Sequence, residues 1–332
     1  MSHTSGNKSV TFALIGNVFV TITKGIVAVF SGSTSMFAES VHSFADTLNQ
    51  SLLLIGLNRS KKPADDIRGY GYGIERFFWS LISACGILFV GAGVTIYHSI
   101  HSLINNGGSS NFHLYNIVVL LIALVIESIT LYIAIKELKG NKKFSRKMLD
   151  EADPVVLAVV YEDGVAVIGV IVALIAQFLT VITNNNLYDS VGGIVVGIIL
   201  GVLAVILIRK NHHYLIGKSI KEEVKEEIIE LLLKDPCIEK ILEFKSVAVN
   251  IGKYRIYVSV EWNGTPLYHE IYDAGELKEE FESVKDDFQE FTKLMLKTTD
   301  RVPRVLGTHI DDIEKKITSQ FPEVLYVDIE IN

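Results

Sequence analysis

The chain has 332 residues, 49% of them hydrophobic, and its 31 Lys and Arg against 38 Asp and Glu leave a net charge of −7. An acidic balance without a basic stripe argues against nucleic acid as a partner. Two cysteines, Cys85 and Cys237, with no CxxC spacing, support no disulfide framework.

The charge is unevenly spread. Residues 1–213 hold nearly all the long apolar runs, whereas residues 214–332 carry 25 Asp and Glu against 16 Lys and Arg, a net −9 that leaves the first part at +2. Such a contrast is expected of two domains in two solvents, divided at 213/214. The opening MSHTSGNKSV lacks the layout of a cleaved signal peptide, and the expected location is a prokaryotic cytoplasmic membrane.

Six apolar runs follow in chain order, at about 9–31, 34–57, 76–102, 113–136, 154–182 and 188–208. Each is long enough for the ~20 helical residues that cross a bilayer core. One soluble domain rarely buries six helices that are apolar all round, so a transmembrane six-helix bundle is predicted. The linker after the second run carries Arg59, Lys61, Lys62, Arg68 and Arg76, and the one after the fourth carries Lys136, Lys139, Lys142, Lys143, Arg146 and Lys147. Arg209 and Lys210 follow the sixth run, and the other three linkers have no Lys or Arg. Positive charge marks the cytoplasmic side, so both termini are expected in the cytoplasm.

The second part reads as mixed α/β. A helix is predicted over 219–234, a β-hairpin around Asn250–Lys253, a charged helix over 269–298, a helix over 307–320 and a last alternating strand in LYVDIEIN. That order suggests a small ferredoxin-like sheet with one helix inserted.

Ionisable groups inside a span cost on the order of 2.5–3.5 kcal/mol each at a helix centre, which makes each a functional candidate. In the second run His42 and Asp46 are four apart and share a helical face, with Glu39 close to that stripe and Asn49 and Gln50 continuing it. An imidazole and a carboxylate at that spacing suit zinc. A polar helix–helix contact is the competing account. In the fifth run Glu162 and Asp163 lie within an apolar segment that contains no Lys or Arg. His42, Asp46 and Asp163, with Glu162, could form a tetrahedral site between the two helices. Adjacent residues point ~100° apart, so Glu162 and Asp163 need not hold one ion. Glu127 in the fourth run lines a cavity, carries a proton, or pairs with Asn17 or Lys24. His212 and His213 fit an interfacial role. His269 and His309 stand outside any dense ligand cluster, and the 269–298 helix is most simply a solvated face.

The stretch AESVHSFADTLNQ resembles the second-helix metal motif of the cation diffusion facilitators, a family of proton-coupled zinc and manganese exporters. SGSTSMFAES and Asp189 also fit. HSFADTLNQSLLLIGLNRS, the RGYGYG loop and the stretch from RVPRVLGTHIDD to LYVDIEIN resemble the zinc transporter nine-like branch. The resemblance spans residues 9–332. It implies that His42 and Asp46 are metal ligands, that export is from the cytoplasm, and that the C-terminal domain dimerises and senses cytoplasmic metal. Relatives bind metal in that domain at a dimer interface.

Two departures stand out. The family's ligand four residues before the fifth-helix Asp is here Val159, so the fourth ligand falls to Glu162, a water or Asn49. The loop positions where many members carry histidines are Arg68 and Tyr72, which argues against a second site there, although Asp65 and Asp66 remain. An oxygen-richer site also raises manganese or iron against zinc.

The expected activity is alternating-access antiport of a divalent metal ion against protons across the lipid bilayer, with His42 carrying protons near neutral pH. The chain is expected to work as a homodimer. A membrane-anchored scaffold acting through its C-terminal domain is the alternative. With no HExxH motif for an intramembrane metalloenzyme, the chain is expected not to be an enzyme.

Overall fold

The computed structural model describes residues 5–105, 114–139, 154–272 and 274–332. Its chain divides into two compact units, Met1–Ile216 and Gly217–Asn332.

Among the described residues the first unit has six long helices: α1 (Ser5–Ser31), α2 (Thr34–Ser60), α3 (Glu75–Ile104), α4 (Leu114–Lys139), α5 (Pro154–Thr183) and α6 (Leu187–Leu215). Gly32, at φ +64°, ends α1, and Ser33 caps α2 by accepting the Met36 N–H at 3.2 Å. Within α3, Ile87–Val94 forms a π-helical segment. The helices begin and end within about four residues of the predicted runs, except that α6 continues to Leu215, seven residues past the predicted end at 208. Four of them, α3 to α6, are long and apolar enough to cross a membrane. Helix α1 is apolar over Asn17–Ser31. Helix α2 has the length but carries Glu39, His42, Asp46, Asn49 and Gln50 through its middle. The basic residues Lys142, Lys143, Arg146 and Lys147, used above for sidedness, lie outside the described residues.

Two apolar clusters flank α2. One joins it to α3 and α6 through Ala38, Ala45, Ala84, Ile87, Leu200 and Ala204. The other joins α1, α4 and α5 through Val20, Ala28, Leu120, Ala123, Val170 and Ala173, with Met36 of α2. Small residues let the backbones approach, as membrane packing requires. A Cβ at Gly197 of α6 would lie 2.6 Å from Ile96 Cγ1 of α3. Large apolar side chains point outward from the same helices, among them Phe89, Val125, Tyr132, Phe178 and Ile198. A water-facing surface would not be expected to present such a band.

The second unit begins with α7 (Glu222–Leu233) and forms a three-stranded sheet in the order β1 (Ile238–Asn250), β2 (Lys253–Trp262), β3 (Val324–Ile331). Strands β1 and β2 are antiparallel around Gly252 at φ +59°, as the hairpin pattern predicted, and β2 and β3 are parallel. Helices α8 (Gly264–Ile271), α9 (Ala274–Val284) and α10 (Phe288–Gln320) connect β2 to β3. The single helix predicted over 269–298 is therefore broken. Asn263 caps α8 by accepting the Thr265 N–H, and Asp287 starts α10 by accepting the N–H groups of Gln289 and Glu290. The helix predicted over 307–320 is the end of α10, which runs through Pro303.

Candidate metal centre

Helices α2 and α5 pack together and carry all four predicted site residues. Glu39, His42, Asp46 and Asn49 follow one another at three- and four-residue steps, so one face of α2 presents a column of polar groups. His42 Nε2 lies 3.4 Å from Asp46 Oδ2, and the imidazole is 1% exposed. Both ring nitrogens of His42 and Oδ1 of Asp46 are buried without a hydrogen-bond partner. Such groups cost about 1–3 kcal/mol each when left unmade and call for a partner.

On α5, Glu162 is buried and its Oε2 accepts from Asn49 Nδ2. Asn49 Oδ1 in turn accepts from Ser83 Oγ of α3 at 2.5 Å. The two residues named as alternatives for the fourth ligand thus meet each other. Asp163, the next residue round the helix, faces Thr130 and Glu127 of α4. Asp46 lies within Coulombic reach of Glu162, Glu127 and Asp163. Asp46, Glu162 and Asp163 thus share a neighbourhood rich in carboxylates, while the ligand atoms of the four predicted residues do not converge within 4.8 Å of one another as those of Asp235, Cys237 and His309 do.

One step along the α2 column, the chemistry changes. Lys24 of α1 is fully buried and donates to Glu39 Oε2 at 3.0 Å and to Glu127 Oε1 at 2.7 Å. Of the pairings read from the sequence for Glu127, the one with Lys24 is present. Glu39 reaches Lys24 because α5 has Gly169 beside it: a Cβ there would fall 2.6 Å from Glu39 Oε1. At the head of α2, the Asp189 carboxylate of α6 accepts from the Thr34 N–H at 2.5 Å, the Ser35 N–H at 3.3 Å and Ser33 Oγ at 2.9 Å, and also from Ser35 Oγ. An anion at a helix N-terminus is well placed by the helix dipole, so Asp189 is a clamp between α6 and α2.

Outside the membrane-crossing helices, Asp65 is held by the loop that carries it. Its Oδ1 accepts from the N–H groups of Ile67 and Arg68, and its Oδ2 from Tyr72 Oη at 2.7 Å. The Tyr72 hydrogen bond, then the Arg68 N–H, hold its carboxyl below the usual range, and the same contact pushes the Tyr72 phenol up. Asp65 is thereby engaged in loop structure. The expectation that His309 stands apart from other ligand types is corrected by the fold: its Nε2 is 3.1 Å from Asp235 Oδ1. That contact spans 74 positions, and no local pattern could show it.

The cation efflux transmembrane domain matches residues 10–216. The chain is 35% identical over 294 residues to the human mitochondrial protein named proton-coupled zinc antiporter SLC30A9, covering 86% of this chain and 51% of that one. The Xenopus laevis protein of the same name is 35% identical over 296 residues, covering 86% and 52%. Metal tolerance protein C4 of Arabidopsis thaliana is 34% identical over 296 residues, covering 86% and 64%. The chain spans about half the length of the SLC30A9 proteins it matches. With its apolar crossing helices and a matched efflux domain, this chain is a multi-pass membrane protein that belongs to the cation diffusion facilitator family, in the branch that resembles SLC30A9.

Proposed function

We propose that the chain exchanges a divalent metal ion, zinc first among them, for protons across a membrane, with His42, Asp46, Asp163 and Glu162 as the exchange site. The observation that carries this reading is a run of buried ligand atoms on α2 without hydrogen-bond partners, among them both nitrogens of His42 and Oδ1 of Asp46. Carboxylates from α5 lie within Coulombic reach of Asp46, so a cation there meets a nitrogen ligand and several oxygens. The same lone pairs bind protons. Metal and proton therefore compete for one site, and loading one releases the other. The names of the relatives, a proton-coupled zinc antiporter and a metal tolerance protein, support the same chemistry.

In this reading residues 1–213 form a six-helix transport domain that alternates access, and α2 crosses with the others because its polar column faces the bundle. Residues 214–332 form a cytoplasmic, ferredoxin-like α/β domain through which the chain dimerises. Both termini face the cytoplasm of a cell membrane, supported by Arg59, Lys61 and Lys62 after α2 and by Arg209 and Lys210 near the end of α6. Export from the cytoplasm follows from the family. The carboxylate-rich site leaves manganese and iron as secondary substrates.

The test is flux. Purified protein in liposomes with an imposed pH gradient is expected to move zinc, and Asp163→Ala to abolish that movement. Flux that survives Asp163→Ala would move the exchange site toward His42, Asp46 and Asn49. Absence of zinc, manganese and iron flux in folded wild type would favour a membrane-anchored scaffold, which would also tolerate Asn at Asp46 and Asp163.

A further inference from the structure

The second unit brings together three side chains of different ligand types. Asp235 and Cys237 stand in the turn between α7 and β1, and His309 comes from the interior of α10. One ligand atom from each lies within 4.8 Å of the others. A tetrahedral zinc site has Zn–N and Zn–O near 2.0–2.1 Å and Zn–S near 2.3 Å, which puts ligand atoms roughly 3.3–3.6 Å apart. The Asp235 Oδ1 to His309 Nε2 distance is already 3.1 Å. Small side-chain rotations close the rest.

The surroundings are those of a held site. Asp235 Oδ1 accepts the Cys237 N–H at 3.0 Å, which fixes the carboxylate beside the thiol. The other ring nitrogen of His309, Nδ1, lies 3.5 Å from Glu270 Oε1 of α8. A carboxylate on the far nitrogen of an imidazole orients the ring and raises its basicity, as at many zinc sites. Trp262 meets the imidazole edge-on, with ring centroids 5.9 Å apart. Leu267 and Leu306 close the apolar side around Cys237, which is 1% exposed. Asp235 and His309 keep 19% side-chain exposure, so an ion can enter from water. An ion pair alone accounts for Asp235, His309 and Glu270. It does not account for a buried thiol directed at the same carboxylate.

We propose that Asp235, Cys237 and His309 form a binding site for a divalent transition-metal ion of the zinc class, with Glu270 as the positioning residue and one coordination position open. Thiolate with imidazole selects zinc-like metals over manganese, magnesium and calcium. The ion would join the turn after α7 to α10. This site is separate in sequence and chemistry from the carboxylate-rich set on α2 and α5, and it stands whether or not that set transports metal.

Cobalt(II) titration of the full chain in detergent, under reductant, tests it. The chain has two cysteines, so a thiolate-to-cobalt charge-transfer band reports on Cys85 or Cys237. The expected result is a band that saturates at one equivalent, persists in Cys85→Ser and in Asp163→Asn, and bleaches on adding zinc. Cys237→Ser removes it, and His309→Gln weakens cobalt affinity at least tenfold with circular dichroism unchanged. If Cys237→Ser does not fold, His309→Gln and Asp235→Asn carry the test. Wild type that shows no thiolate band at saturating cobalt would overturn the proposal, as would a band lost in Cys85→Ser or unchanged in His309→Gln.

Discussion

Helix α2 passes through two polar regions that lie a turn apart and differ in one respect. Around Glu39 the carboxylates are matched with a cation: Lys24 sits between Glu39 and Glu127 and donates to both. Around His42 and Asp46 carboxylates gather from α5 and α4, and the buried nitrogens of His42 go without a partner. Both regions place ions where ions are expensive. A matched set serves the fold, because one ammonium ties two carboxylates in place. An unmatched set is what an exchangeable cation or proton requires.

Removing Lys24 should have the largest effect, because it converts the matched region into an unmatched one. Lys24→Met leaves Glu39 and Glu127 buried without their cation and is expected to destabilise by about 3–5 kcal/mol. Thermal unfolding in detergent checks this. Adding Glu39→Gln and Glu127→Gln to Lys24→Met should restore most of the loss, and a failure of that rescue would mean Lys24 acts by packing alone. Gly169→Ala comes next. Its new Cβ, placed 2.6 Å from Glu39 Oε1, must shift the carboxylate that Lys24 holds through Oε2, at a cost of about 1–3 kcal/mol by the same assay.

At the unmatched region the pattern inverts. Asp46→Asn is expected to change stability by less than about 1 kcal/mol, since its contact with His42 is long, at 3.4 Å, and the amide keeps an oxygen there, while zinc affinity falls at least about tenfold, or ~1.4 kcal/mol. Equilibrium dialysis beside thermal unfolding separates the two. A stability loss as large as that of Lys24→Met would erase the distinction between the regions.

The smallest effect lies outside both, at Asp65. Its carboxyl is held below the usual value, so the contact with Tyr72 contributes at neutral pH. That contribution is lost only in acid, as pH falls below the ordinary carboxylate value of ~3.9 and through the lowered one. The Tyr72 phenol is held up by the same bond, so the tyrosinate difference spectrum between wild type and Asp65→Asn should show one residue ionising at lower pH in the variant.

Much of this was readable in the sequence, and what was not has identifiable causes. The extents of the six long helices followed from apolar run length, and the His42–Asp46 pairing from helical spacing. The role of Asn49 was half visible: Asn49 and Glu162 each stood out, but their contact joins residues 113 apart. Lys24 could be named as a partner for Glu127, yet that it also holds Glu39 depended on the packing of α1, α2 and α4. In the second unit the predicted helices at 269–298 and 307–320 were cut differently, because the real boundaries came from the short polar caps Asn263 and Asp287. His309 looked isolated because Asp235 and Cys237, in the turn before β1, approach it only once α10 has packed beside that turn.

The central claim is that α2 and α5 hold a site where metal replaces protons. The most direct test is the number of protons released per zinc bound, measured across pH in the Cys237→Ser background so that the second unit does not contribute. Release that accompanies binding, and that falls together with zinc affinity in Asp46→Asn and Asp163→Asn, is the result this account predicts. Zinc binding that is unchanged by both substitutions, or that proceeds without proton release at any pH, would contradict it.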